Sequence, residues 1–367
     1  MRVLVTFEMP ELCLRSVDFI NLLISYGHDV SLYAVGVKPE WGEYMIGLIN
    51  HPRFSYLKDP PVFNDYRIWI YDLSSRDRWK YPTLFCKELV EYRNDGLLIC
   101  VNYEDGYHFF DDRITDHVKW TTSVFMNNAI YIDRMKYPER IRNKLLLSTS
   151  YISNSQPFRD VKVPYDQKIK RVFFSGSVTG NATSMTNFSE WEPRLRIVLA
   201  EKVYREKDIP SIIRFFSCDP VWQKYYDEMP AELKHQPQPP HQFVDELSQS
   251  MISLCVKGNS YPTNRFFESM AAGCLTFSTQ IDHEIEVYGV GEKGKDYVEI
   301  NVDGSDLLPK IRYYFEHPEE AKTIAENGRK VWEKYNMLDD NGLLPLETQM
   351  HHVESIKKLS GWDIRLA

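Results

Sequence analysis

Between Met251 and Gln280 the chain reads MISLCVKGNSYPTNRFFESMAAGCLTFSTQ, an apolar strand, a polar loop, a short helix carrying Arg265 and Glu268, and a second apolar strand that opens at Gly273-Cys274. The types and spacing of these residues suit one chemistry. A helix N-terminus and a guanidinium beside it favour a pyrophosphate, and a carboxylate one turn on can accept hydrogen bonds from two ribose hydroxyls. Held at the strand-carboxyl edge of an α/β sheet, the set is suited to a sugar nucleotide. The plain alternative is an i, i+3 ion pair on a solvated helix face, a common and weak feature. Against it stands the position of the two residues between apolar strands, flanked by Phe266, Phe267 and Gly273.

The elements that must position this pair repeat one pattern twice. In the first half, apolar runs at Val3 to Phe7, Val30 to Val35, Ile68 to Tyr71, Leu97 to Asn102, Ser123 to Met126 and Leu145 to Ser148 alternate with segments of helical character such as Ser16 to Tyr26 and Thr83 to Tyr92. Continuous rather than alternating apolar strands imply a sheet covered on both faces, hence parallel and doubly wound. Around Pro157 to Lys170 the text turns polar and proline-bearing, which reads as a linker. The pattern then restarts, with strands expected at Arg171 to Ser175, Ile212 to Ser217, Ile252 to Val256, Leu275 to Ser278 and Tyr297 to Asn301. Helices are expected at Glu190 to Tyr204, Gln242 to Ser250 and Thr263 to Ala272. After Asp303 the chain reads as helical, with a last amphipathic helix over Leu346 to Leu359. The expected organisation is α/β: two Rossmann-like domains, 1–160 and 161–340, facing a central cleft, and a tail, 341–367, whose helix packs back on the first.

Composition permits this. The 367 residues are enough for two cores, and 43% hydrophobic with 14% aromatic residues describe a folded chain. A net charge of −8 gives no global basic field of the kind that holds a protein on nucleic acid through phosphate contacts. The six cysteines are scattered without CxxC spacing and read as reduced core residues of a reducing compartment. MRVLVTFEMP reads as the start of a strand rather than a leader, and no apolar stretch approaches the ~20 residues of a membrane span, so the expected location is the cytoplasm.

With these parts in order, the chain resembles GT-B fold glycosyltransferases. The stretch PTNRFFESMAAGCLTFSTQ is similar to the Arg-x-x-Glu, small-residue run, Gly-Cys and strand of exostosin-like donor domains, and the phage DNA β-glucosyltransferases carry a comparable Arg-x-x-Glu-x-Met-Ala. The likeness has specificity over residues 171–282. It implies that Glu268 holds the nucleotide ribose, that Arg265 meets the diphosphate or the sugar, and that Thr263 and Asn264 offer backbone amides to the phosphates. Lys257 and Tyr261, in the loop before the helix, join this donor-binding set. In RVFFSGSVTG a strand runs into a Gly/Ser turn, and the resemblance gives Gly176 and Ser177 a place facing donor and acceptor. An early helix arginine would reach the diphosphate, Arg194 or Arg196 but not both, since residues two apart on a helix face different ways; Arg196 is favoured, and a solvated arginine is the plain alternative for either. The nucleobase would lie beside Phe215 to Pro220 and the loop ahead of Gln242.

The same resemblance implies an inverting transfer of a sugar, from a UDP-sugar by preference, to a hydroxyl acceptor, by preference a glycan, with a general base from the first domain. The strand LLICVN followed by YEDGYH points to Asp105, with Glu104 as near rival and His108 and Glu8 as further candidates. A loop carboxylate capping the next helix is the plain alternative for Asp105. Ser260 stands where many retaining relatives carry a second Glu, which favours inversion. No Asp-x-Asp stands beside a strand end and the histidines lack ligand spacing, so no metal and no cofactor is expected. Arg265, the helix dipole and loop amides would neutralise the leaving diphosphate. DNA is the weaker acceptor candidate, through basic stretches at Arg76 to Lys80 and Arg134 to Lys144; a non-catalytic nucleotide-binding protein of the same fold is the remaining alternative.

Overall fold

The computed structural model describes residues 1–7, 17–34, 44–47, 49–72, 86–92, 95–102, 123–127, 143–147, 155–178, 194–218, 223–256, 263–279 and 288–365. The chain divides into two compact units, one formed by Met1–Ser153 with Leu338–Ala367 and the other by Asn154–Met337.

The first unit is built on seven strands: β1 (Arg2–Phe7), β2 (Asp29–Ala34), β3 (Phe54–Tyr56), β4 (Ile68–Asp72), β5 (Leu97–Asn102), β6 (Ser123–Asn127) and β7 (Leu145–Leu147). Their order across the sheet is β3-β2-β1-β4-β5-β6-β7 and every pairing is parallel. The apolar runs explain the arrangement. Ile68, Trp69, Ile70 and Tyr71 are all buried although successive side chains point to opposite faces, so both faces of β4 are covered. Helices α1 (Val17–Ser25) and α2 (Cys86–Glu91) supply part of that cover. The short strand β3 has no counterpart in the sequence-based reading, because three residues are too few to show a period.

The second unit carries β8 (Ile169–Val178), α3 (Arg194–Tyr204), β9 (Ser211–Cys218), α4 (Gln223–Glu228), α5 (Pro240–Ser248), β10 (Ser250–Cys255), α6 (Asn264–Ala271), β11 (Leu275–Thr279), β12 (Val298–Ile300), α7 (Leu307–Glu316) and α8 (Pro318–Tyr335). Its sheet is parallel in the order β12-β11-β10-β8-β9. The winding direction reverses between β8 and β10, and the crevice outside the strand-carboxyl ends at such a reversal is where open α/β sheets bind ligands. All six residues of β10 and all five of β11 are buried.

Three local expectations need correction. The stretch 157–170, read as a linker, is packed into the second unit: Phe158 and Tyr165 are buried, and the Arg329 guanidinium donates to the carbonyls of Phe158 and Arg159 at 3.1 and 3.0 Å. Its prolines shape short helical turns around two aromatic anchors. The helix expected to run to Ser250 stops at Ser248, and Ser250 opens β10. Strand β8 continues through Gly176 to Val178, because β9 offers partners for both, Phe215 and Cys218, with a register shift between them.

The last helix, α9 (Leu346–Ser360), belongs to the first unit and packs against β6 and β7. Val353 and Ile356 on it, and Ile364 beyond it, are fully buried in the core of that unit. His28 anchors the same segment through its Nε2, 2.6 Å from the Ile364 carbonyl oxygen. Ile356→Ala is therefore expected to lower the unfolding free energy by about 2–5 kcal/mol, the usual range for emptying a core Ile site. Urea unfolding followed by tryptophan fluorescence measures it. A loss under about 1 kcal/mol would show that α9 is not part of this core.

Candidate functional site

Helix α6 starts at the carboxyl end of β10, beside the winding reversal, and the sequence dictates both of its ends. Thr263 is the N-cap, in extended conformation, and Phe266 N–H donates to its carbonyl at 3.0 Å. At the other end Gly273 takes φ +64°, its N–H bonds the Met270 carbonyl at 2.9 Å, and Cys274 N–H bonds the Ser269 carbonyl at 3.0 Å. This is a Schellman turn, which demands a left-handed residue and so a glycine. Between the ends, Phe266, Phe267, Ser269, Met270 and Ala271 are buried.

A buried hydroxyl–thiol cluster locks α6 to β10. Ser269 Oγ lies 2.6 Å from Ser253 Oγ and 3.2 Å from Cys255 Sγ, and it donates to the Arg265 carbonyl at 2.6 Å. Burial pushes the Cys255 thiol up to about 12, so it stays a neutral, unreactive donor.

Arg265 and Glu268 do form an i, i+3 pair, Nη1 to Oε2 at 3.2 Å, but not a solvated one: their side chains are 17% and 13% exposed. The Arg265 Nη2 donates to the carbonyl of Ser175 near the end of β8, so α6 is tied across the reversal to the neighbouring strand. Burial raises the Glu268 carboxyl above its ordinary value, and the Arg265 charge offsets this only in part. Among the described residues, three buried polar atoms here have no hydrogen-bond partner: Thr263 Oγ1, Asn264 Oδ1 and Arg265 Nη1. An N-cap threonine ordinarily accepts from a first-turn amide, but the Thr263 hydroxyl makes no such bond, and among the described residues the Asn264 and Arg265 amides have no hydrogen-bond partner.

Arg196, on the first turn of α3, donates to the Ser177 carbonyl at 3.0 Å. Arg196 and Arg265 thus anchor to carbonyls two residues apart on β8, and the structure brings both guanidinium groups, Gly176, Ser177, Thr263, Asn264 and Glu268 to one end of one sheet. The arrangement offers positive charge and amide donors for an anion, and one buried carboxylate as acceptor. Lys257, Tyr261, Glu104, Asp105, His108 and Glu8 lie outside the described residues, as does the side chain of Arg194. Among the described residues no group of three or more His, Cys, Asp or Glu side chains could hold a metal ion, and no helix is long and apolar enough to cross a membrane.

Sequence reasoning missed the shell that supports these groups. Ser175 Oγ donates to Gln238 Oε1 at 3.2 Å, Gln238 Nε2 donates to Glu246 Oε2 at 2.7 Å, and Arg214 pairs with the same carboxylate. Burial alone would raise Glu246, but hydrogen bonds from Arg214, Gln238 and Gln242 outweigh it and hold the carboxyl below its ordinary range. Nothing in the spacing of Gln238 and Glu246 marks them, since their partners are distant in sequence.

The raised Glu268 carboxyl sets a pH dependence. Only the ionised form can accept from two ligand hydroxyls, and the proton leaves at a pH above the ordinary carboxylate range. Affinity for a nucleoside diphosphate such as UDP is therefore expected to be full above that raised value and to fall as the pH drops through it. Titration calorimetry in wild type and Glu268→Gln checks this: the wild-type profile should show an inflection above the ordinary carboxylate value that the variant lacks, the ionisation of the terminal phosphate being common to both. Identical profiles would remove Glu268 from the ligand.

Residues 196–339 match the model of the glycosyl transferase-like family, a span that contains Arg196, Thr263, Asn264, Arg265 and Glu268. No curated protein matches the sequence. Among solved structures, an alpha-glucosyltransferase in complex with UDP-glucose and abasic-site DNA is similar in fold, with 11% identity, a TM-score of 0.56, and coverage of 92% of this chain and 96% of that one. A glycosyltransferase from Rickettsia africae has 12% identity and a TM-score of 0.56, with 98% of each chain covered. The chain thus has the two-domain Rossmann-like architecture of GT-B glycosyltransferases, and through residues 196–339 its second unit matches the glycosyl transferase-like family.

Proposed function

We propose that the protein is a glycosyltransferase that moves a sugar from a nucleoside-diphosphate sugar, UDP-sugar by preference, to a hydroxyl acceptor. The observation that carries this reading is the convergence of a buried carboxylate, Glu268, with Arg265, Arg196 and the N-terminus of α6 at the β8/β10 reversal. Glu268 accepts from the ribose hydroxyls, and the two guanidinium groups with the α6 N-terminus hold the diphosphate. The preference for uridine is supported by the similar fold solved with UDP-glucose.

In this reading a carboxylate of the first unit, Asp105 or its neighbour Glu104, takes the proton of the acceptor hydroxyl. The acceptor oxygen then bonds the anomeric carbon, the bond from that carbon to the diphosphate oxygen breaks, and the nucleoside diphosphate departs with the electron pair. Attack opposite the leaving group inverts the anomeric centre. The departing charge is met by Arg265, Arg196 and the helix dipole, with no metal in the step. A glycan is the preferred acceptor. DNA is the second reading, favoured by the similar fold solved with DNA and opposed by the net charge of −8.

A panel of UDP-, GDP- and dTDP-sugars tests the proposal. A bound donor should raise the melting midpoint, since ligand bound to the native state adds stability as RT ln(1 + [L]/Kd). Turnover of the stabilising donor should release its nucleoside diphosphate and continue in EDTA, and Asp105→Asn should slow transfer about 10²- to 10⁴-fold while UDP binding is kept. No shift with any donor would refute a glycosyltransferase. Loss of turnover in EDTA, restored by Mn²⁺ or Mg²⁺, would refute the metal-free account, and a gel shift with duplex DNA would favour the second reading.

A further inference from the structure

Helix α5, outside every motif of the donor site, lays an aromatic ring under its arginine. The Arg265 guanidinium carbon stands 4.3 Å from the centroid of the Phe243 ring and 6.0 Å from that of Phe173. Phe243 is held here by two further rings. Its ring meets Phe158 edge-on, with centroids 6.0 Å apart and planes at 84°, and lies 5.8 Å from Phe173, and both of those partners are buried. The helix that carries it is itself fixed: Phe243 N–H bonds the Pro239 carbonyl at 3.1 Å, and Glu246, three residues on, is held by Arg214 and Gln238.

An arginine side chain is long and carries about 2 kcal/mol of rotamer entropy, which an unsupported side chain would lose on meeting an anion. Here the ring face, the Ser175 carbonyl at Nη2 and the Glu268 carboxylate fix the guanidinium plane beforehand. The buried Nη1 faces Glu268 Oε2 at 3.2 Å and makes no further hydrogen bond among the described residues. Resting on the nucleotide-sugar reading above, we propose that Phe243 is a positioning residue: its ring face holds the Arg265 guanidinium in the orientation that receives the diphosphate. Phe243 touches no ligand in this account. It acts through Arg265, by the attraction of a cation to the negative face of an aromatic ring.

The prediction separates phosphate recognition from general packing. Phe243→Leu keeps apolar bulk and removes the ring face, so UDP affinity should fall about 2- to 30-fold, the span of one partly buried cation–π contact. Affinity for uridine, which lacks the phosphates, should hold, and Phe243→Trp should restore UDP binding. Equal losses for UDP and uridine, or no loss for either, would overturn the proposal. If the Leu variant fails to fold, progressively fluorinated phenylalanine at position 243 keeps the shape and empties the ring face. UDP affinity should then fall with each fluorine, and a flat series would overturn the proposal. Arg265→Ala separates the two levels: weakened UDP binding in that variant beside an unaffected Phe243 series refutes the positioning role alone, whereas a wild-type protein that binds no UDP removes the underlying reading as well.

Discussion

Two opposite charges taken out of water together, Arg265 and Glu268, are the constraint around which the second unit is arranged. Removing a carboxylate and a guanidinium from solvent costs several kcal/mol per ion unless each is met by its partner and by further hydrogen bonds. The pair alone does not suffice, since burial still raises Glu268 despite the adjacent cation. The remaining compensation comes from β8, whose Ser175 carbonyl receives Arg265, and from the Phe243 ring beneath the guanidinium. These partners come from three separate parts of the chain, β8, α5 and α6, so the site exists only when the sheet is assembled.

The polarity of α6 is managed differently at its two ends. At the C-terminal end, Lys168 Nζ donates to the Ala272 carbonyl at 2.9 Å and also to the Ser248 carbonyl that ends α5, and Arg329 donates to the Ala271 carbonyl. Cations there complement the negative pole of the helix dipole. Burial lowers the Lys168 ammonium, and the carbonyls keep a charged donor attractive at that place. At the N-terminal end, among the described residues, the Thr263 hydroxyl makes no capping bond and the Asn264 and Arg265 amides have no hydrogen-bond partner. A helix satisfied at one pole and vacant at the other is arranged to receive an anion.

Much of this was legible in the sequence because the signals are local. Runs such as Leu97–Asn102 and Ser250–Cys255 are apolar on both strand faces, which is enough to indicate a covered parallel sheet, and Gly273 after an eight-residue helix marks its end. Arg265 and Glu268 could be read because their spacing and flanks are contiguous. What could not be read is whatever depends on distant partners. Phe158 and Tyr165 look like part of a proline-bearing linker until α5, α6 and α8 pack around them. Gln238, Phe243 and Glu246 look like ordinary residues of a loop and an amphipathic helix, and only the β8/β10 reversal places them beneath the arginine. Gly176 and Ser177 read as a turn because glycine weakens strand propensity, whereas the β9 partners of Gly176 and Val178 carry the ladder past Ser177.

The central claim is that the Glu268 carboxylate takes the ribose hydroxyls of a nucleotide, and a ligand–protein cycle tests it most directly. UDP and 3′-deoxy-UDP are titrated calorimetrically into wild type and into Glu268→Gln, which keeps the shape of the side chain and removes its charge. A hydrogen bond to a charged acceptor contributes about 1.5–3 kcal/mol, so deleting the 3′-hydroxyl should cost the wild type about 10- to 100-fold in affinity and the variant less than about threefold. Equal losses in the two proteins would contradict the account.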